Sequence, residues 1–293
     1  MAYRLTSHVD FSDIEERLQL AKYRPCDPLD QSTFGWVQAS PTRAFLAYQE
    51  SGHILLVSCK EEKIIPPYVI KRETEERVKA LEAKEQRKIK KNEKQAIKDD
   101  VIAALLPRAF SKYQHTAIWI DTVKDLVFVD TGSAKRAEDS LALLRKTLGS
   151  LPVVPLHFNN LVSTTMTEWI ANNTTPEWLT LLEEGKLQSF DTDSQAVFKN
   201  QDFENEEIHQ LISAGKFVTK LAFEWENHLS FTLNENSVLT KIKFADDIRE
   251  KNDDLLKEDI AQRFDADFLL MTNELSNLIE KLTNEFGGVK ERL

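Results

Sequence analysis

From Val69 to Leu106 the chain contains neither glycine nor proline and is built from strong helix formers, so one long helix or a helical pair is expected there. Its apolar positions are Val78 and Leu81 at one end and Ile97, Val101, Ile102, Leu105 and Leu106 at the other. From Glu82 to Gln95 the only large apolar residue is Ile89. A helical segment without an apolar stripe cannot seat itself on a core over its middle. The fold must therefore project this part into solvent or toward a partner. It is also where charge collects, because residues 84–98 hold seven basic and two acidic side chains, +5. At 100° per residue, Lys84, Arg87, Lys88, Lys91, Lys94 and Lys98 follow helical i, i+3, i+4 spacing and form one cationic stripe, with Lys90 beside it.

That stripe sits in a chain of 293 residues with 38 basic and 48 acidic side chains, net −10. Such a total ordinarily argues against nucleic acid, whose affinity comes largely from Lys and Arg displacing counterions. The total conceals unlike parts. Residues 1–83 carry 11 basic and 13 acidic groups, residues 99–150 seven of each, and residues 151–293 carry 13 and 26, or −13. More cations stand at Arg108 and Lys112, then at Lys135, Arg136, Arg145 and Lys146. Like charges crowded on one face repel, and phosphates lying along them relieve that repulsion. No recognition-helix or zinc-finger frame accompanies these cations, so they point to backbone contact, not base reading.

The remaining pattern is mixed. Strands are expected at Tyr3–Val9, Ala44–Tyr48, His53–Ile65, Thr116–Ile120, Leu126–Val129, Val153–Phe158, Gln195–Lys199, Phe217–Trp225, His228–Leu233 and Ser237–Phe244, several of them in hairpins. Helices are expected after Ser12 or Asp13, at Ala134–Leu148 between a Ser133 cap and Gly149, near Ser163–Ala171, Pro176–Leu182, Glu204–Ser213, Ala245–Asn252 and Glu258–Phe286. A loop with Pro28 and Gly35 follows the first helix. No internal repeat is found. The fold class is α+β with mixed antiparallel sheets, helices and a long projecting helix. The expected domains are an N-terminal α+β domain (1–68 and 101–158), a projecting basic helical segment (69–100) and a C-terminal α+β domain with terminal helices (159–293).

Most catalytic chemistries find no frame. The histidines His8, His53, His115, His157, His209 and His228 show no HxxxH or HExxH spacing, and Cys26 and Cys59 form no CxxC pair, so no metal or cofactor is expected. No P-loop, dinucleotide fingerprint or nucleophile frame is present. Asp130-Thr131-Gly132 resembles the aspartic-protease turn, but it stands alone and a helix begins directly after it. A strand-to-helix turn is the expected reading. Asp265 and Asp267 beside Arg263 are two residues apart, do not share a helix face, and suit solvated or intersubunit salt bridges. The longest apolar run, Val101–Leu106, is far short of the ~20 residues of a membrane helix. A soluble cytoplasmic protein with reduced cysteines and no membrane partner is expected.

Several long, ordered strings carry a more specific signal. They are Lys60-Glu61-Glu62-Lys63-Ile64, Leu105-Leu106-Pro107-Arg108-Ala109-Phe110-Ser111, Trp119-Ile120-Asp121-Thr122, Leu141-Ala142-Leu143-Leu144-Arg145-Lys146, Gly149-Ser150-Leu151-Pro152-Val153-Val154-Pro155 and Gln262-Arg263-Phe264-Asp265-Ala266-Asp267-Phe268. Spread over nearly the whole chain, they resemble the bacterial recombination-associated RdgC family. That resemblance implies a nucleoid-associated, sequence-nonspecific DNA-binding protein that forms a ring-shaped homodimer around duplex DNA and restrains the recombinase RecA; single-stranded DNA is a further expected partner. It implies no enzyme activity. A closed two-fold ring needs two self-complementary contact regions, which the resemblance places near Phe110 and near Lys199, Asn200 and Gln201. Other function classes remain open: a metal-dependent nuclease with dispersed carboxylates, a dimeric Asp-Thr-Gly protease, and a helical protein-docking factor.

Overall fold

The computed structural model describes residues 1–41, 43–250 and 260–290. It is an α+β structure of two sheets in which every paired strand is antiparallel. The first sheet contains β1 (Ala2–Leu5), β2 (Ser32–Val37), β3 (Ala47–Glu50), β4 (His53–Ile64), β5 (Phe110–Asp121), β6 (Leu126–Val129) and β7 (Val153–Pro155). Their order is β2-β4-β5-β6-β1-β7, with β3 beside β4. Strands β4 and β5 pair over their full length, from His53↔Asp121 to Ile64↔Phe110. The chain joining them is the glycine-free stretch.

One face of this sheet is covered by α1 (Ile14–Leu20) and α4 (Ala134–Leu148). Ile14, Leu18, Trp36, Leu56, Ile118, Ile120, Ala137, Leu141 and Leu144 form that core. Helix α4 begins where the Ser133 hydroxyl accepts from the Arg136 N–H and ends at Gly149, whose φ of 81° suits a residue without a side chain. The opposite face carries Tyr48 and Trp119, which pack with Phe264 and Phe268 of α8 (Ile260–Glu285).

The second sheet has the order β12-β11-β10-β8-β9, from β8 (Thr180–Ser189), β9 (Gln195–Lys199), β10 (Lys216–Trp225), β11 (Leu229–Asn234) and β12 (Leu239–Phe244). Helix α5 (Val162–Asn172) lies against β10, and α6 (Glu206–Ser213) packs beside it. Trp169, Phe203, Ile208, Phe223 and Phe231 share a core with Leu278, Leu282 and Phe286 from the far end of α8 and just beyond it. Helix α8 thus touches both sheets. Ser276 Oγ also donates to the buried Asp121 at 3.0 Å. A short α7 (Asp246–Glu250) precedes the undescribed stretch 251–259, so the expected helix ends at Asn252 and Glu258 lie outside the described residues.

The glycine-free stretch is a helical pair, α2 (Pro67–Glu85) and α3 (Lys91–Leu105), packed against each other. Helix α2 stops at Gln86, which is left-handed at φ 51°, and Arg87 to Lys90 form the connection. This corrects the single cationic stripe. Arg87, Lys88 and Lys90 are loop residues, so helical spacing does not align them with Lys84, Lys94 and Lys98. Within the pair only Thr74 and Val101 are buried, and residues 82–100 are half-buried or exposed, as the missing apolar stripe requires.

Four other expectations change. The expected loop around Gly35 contains β2, where the Tyr23 backbone crosses so close that a Cβ on Gly35 would stand 2.6 Å from it. The expected helix at Pro176–Leu182 is the entry to β8. Strand β1 ends at Leu5 rather than Val9, and Asp13 precedes α1 without a side-chain cap.

Candidate nucleic-acid interface

The connection between α2 and α3 is braced. Arg87 donates two hydrogen bonds to the Glu93 carboxylate, at 2.9 and 2.6 Å, and lies 2.7 Å from Glu85. Glu93 also accepts from the Lys90 N–H, and Glu82 accepts from the Ile89 N–H. The hydrogen bonds from Arg87 and Lys90 hold the Glu93 carboxyl down at about 2. Arg87 is therefore committed within the tip. Lys84, Lys88, Lys90, Lys91, Lys94 and Lys98 are exposed and form no ion pair among the described residues. Lys91 and Lys94 stand in the first turn of α3, where the helix dipole disfavours cations. An exposed ridge of lysines thus surrounds one neutralised arginine.

A second group gathers at the start of α4. Lys135 and Arg136 occupy its first turn, which holds no acidic residue. Arg136 reaches the β4–β5 ladder, where the correctly oriented Gln114 amide oxygen accepts from its Nη2 at 2.8 Å and Nε at 3.3 Å. Gln114 faces Lys60 across the ladder, and Lys112 is two residues along β5 on the same side. Lys60, 3.6 Å from Asp139, is a member of this group that sequence spacing alone did not reveal. Only the strand register brings it beside Arg136. Arg108 and Lys112 are exposed. Arg145 and Lys146 are exposed in the last turn of α4, where the dipole favours them. They lie ten or eleven residues from Lys135, about 15–17 Å along the axis, so α4 presents cations at both ends.

Phe110 opens β5 and is 86% exposed. Its cross-strand neighbour Ile64 and the nearby Tyr68 and Tyr113 are exposed too. Together these side chains leave a group of large apolar residues in water near the end of the β4–β5 ladder, more than a scattering of single exposed residues. Lys199 ends β9, Asn200 is left-handed at φ 55°, and the Gln201 N–H donates to the Glu183 carbonyl at 3.3 Å. Lys199 and Asn200 are exposed, and Gln201 is half-buried.

Behind Phe110 lies a polar hub with no sequence signature. Glu61 is buried and accepts from Ser111 Oγ and Tyr23 Oη, both at 2.6 Å, from the Cys26 N–H at 2.8 Å and from Tyr113 Oη at 3.4 Å. The Ser111 and Tyr23 hydroxyls, then the Cys26 N–H, hold its carboxyl down at about 2. Burial and the Glu61 carboxylate push the Tyr23 phenol up. The hub fixes Ser111, next to Phe110, to β4.

The enzyme-like strings resolve differently. Asp130-Thr131-Gly132 is the turn from β6 into α4, with the Ser133 N–H donating to Thr131 Oγ1. Asp265 accepts from Tyr48 Oη at 2.7 Å and from Arg43 at 2.6 Å, and Asp267 lies 3.9 Å from Arg263. These salt-bridge roles are within one chain. Among the described residues no group of three or more His, Cys, Asp or Glu is arranged to hold a metal ion, and no helix is long and apolar enough to cross a membrane.

Comparison with known proteins agrees with the resemblance carried by the ordered strings. A family model described as "Putative exonuclease, RdgC" matches residues 1–289. The recombination-associated protein RdgC of Actinobacillus pleuropneumoniae serotype 3 is 61% identical over 295 residues, covering 100% of this chain and 98% of that protein. Those of Mannheimia succiniciproducens and Haemophilus influenzae are 56% and 53% identical with the same coverage. With a full-length family match and such identity along the entire chain, this protein belongs to the RdgC family of recombination-associated proteins.

Proposed function

We propose that this chain acts in recombination as a sequence-nonspecific DNA-binding protein, closing as a homodimeric ring around duplex DNA at the nucleoid and limiting RecA access to it. The observation that carries the reading is the placement of unpaired cations on a chain of net −10. Exposed lysines crown the α2–α3 tip, Lys91 and Lys94 flank Glu93 in the first turn of α3, and Lys135 and Arg136 stand without an acidic residue in the first turn of α4, where an isolated helix would favour carboxylates. Such placements are costly alone and become favourable beside phosphates. No frame for reading bases accompanies them, so the contacts are to the backbone. In this reading, Phe110 and the Lys199-Asn200-Gln201 turn supply the subunit contacts that close the ring.

The test changes Lys88, Lys91 and Lys94 together to Glu and titrates several unrelated duplexes. If these lysines meet phosphates, affinity falls on every duplex alike. The slope of log affinity against log salt becomes shallower by about 2.7, at ~0.9 per lost phosphate contact. RecA-driven strand exchange, slowed by the unaltered protein, is then no longer slowed. Unchanged affinity would remove the tip from the DNA surface. The exonuclease in the family description supports a second reading: nucleotide release from end-labelled DNA with Mg²⁺ would favour it, and intact DNA would favour the binding protein.

A further inference from the structure

The C-terminal half carries −13, yet one face of its sheet is cationic. The core face of that sheet holds Leu187, Leu221, Phe223, Phe231 and Leu233. On the opposite face the register pairs Lys220 with Lys186 and Lys199 with Glu184. Glu184 and Lys186 are two residues apart on β8, so all four side chains leave the same side. Lys241 of β12 reaches Glu184 over the two intervening strands, with both carboxylate oxygens 2.6 Å from its ammonium. Flat strands would hold those two backbones about 14 Å apart, so the side chains lie down across the face. Beneath them Ala222 and Thr232 are only 4% and 2% exposed. Glu184 is held below its ordinary range first by the hydrogen bond from Lys241 and then by the charges of Lys241, Lys220 and Lys199. Three ammonium groups therefore act on one carboxylate, and Lys186 leaves the same side of the sheet.

Two features give this arrangement a direction. Cations paired directly across a ladder, as Lys186 and Lys220 are, destabilise a sheet, so the fold retains a cost that a polyanion would remove. The face also lies close to the turn that leads into α4. Gly132 lies against Thr240, to the extent that a Cβ there would stand 3.7 Å from Thr240 Cγ2. Lys135 and Arg136 follow Gly132, and Lys241 follows Thr240. The turn leading into α4 and the edge of the second sheet therefore meet at Gly132 and Thr240, where Lys241 shares a cleft with Asp130.

We propose that the outer face of the second sheet is a further phosphodiester-binding surface, on which Lys186, Lys199 and Lys220 contact the nucleic-acid backbone and Glu184 holds Lys241 in reserve. The inference rests on the DNA-binding reading and adds to it the lobe that net charge would exclude. Contacts from both lobes would let one subunit follow the backbone beyond the reach of the α2–α3 tip.

The experiment uses the full chain with Lys186→Gln and Lys220→Gln together, leaving Lys199 in place because it belongs to the proposed subunit contact. The expected result is a salt slope on duplex DNA shallower by about 1.8, at ~0.9 per contact, with a melting temperature equal to or above that of the unaltered protein. Glu184→Gln should act oppositely, tightening binding several-fold by freeing Lys241, a gain that a merely structural role would not produce. An unchanged slope in the double variant, while the Lys88, Lys91 and Lys94 variant still loses affinity, would overturn this surface and leave the DNA-binding reading intact. Failure of the unaltered protein to bind duplex DNA would overturn both.

Discussion

Replacing Phe110 with Ala separates a residue that holds the fold from one that closes the proposed dimer. Its side chain is 86% exposed in the single chain, so truncation removes almost no intramolecular contact. The melting temperature of the isolated subunit should stay within about 1 °C, since surface substitutions away from special features stay within ~0.5 kcal/mol. Association is different. A phenylalanine covers about 150–250 Å² when buried. Removing 86% of that area from water at ~25 cal/mol per Å² corresponds to about 3–5 kcal/mol before the costs of association. Buried aromatic anchors lose about 2 kcal/mol or more on truncation, so the dimer should weaken by about 30-fold or more. Sedimentation velocity over a dilution series reads this directly. A dimer constant equal to that of the unaltered protein would refute Phe110 as an anchor. A melting temperature lowered by several degrees would instead place it in the core.

Two further outcomes follow from the packing. Glu61 has a depressed pKa, so its contribution to stability is present above its ordinary value of 4.5 and is lost as pH falls toward about 2. Glu61→Gln should therefore flatten the dependence of melting temperature on pH across that window, and parallel curves for the two proteins would contradict the hub. Gly185 sits under Phe203, with a built Cβ only 2.3 Å from Phe203 Cζ. Gly185→Ala should thus cost about 1–3 kcal/mol by overpacking, read as a lower urea midpoint, and an unaltered midpoint would show that Phe203 has room to move.

Family membership was legible because long ordered strings survive in the sequence, and the α+β class because hairpins and capped helices carry local chemistry. The candidate interface was legible only in part. The sequence pointed to Lys84–Lys98, but its regular spacing suggested a continuous stripe. It could not show that Gln86 turns left-handed or that Glu93 draws Arg87 inward. Lys60, Lys186 and Lys220 had no signal, since they are far apart in sequence and scattered among acids. The Glu61 hub was hidden for the same reason: its donors come from residues 23, 26, 111 and 113.

By itself the sequence determined what short-range physics controls. Ser133 and Gly149 bound α4 because a side-chain acceptor and a positive-φ residue are needed at its ends. The segment from Glu82 to Gln95 stays out of the core because it has almost nothing apolar to bury. Tertiary structure decided what depends on distant partners. Strand β2 forms where β4 and the crossing chain at Tyr23 meet Gly35, and β8 forms where Gly185 admits Phe203. It also decided which cations share a surface, because a ladder aligns residues by register, whereas a composition count adds charges without regard to the side they face.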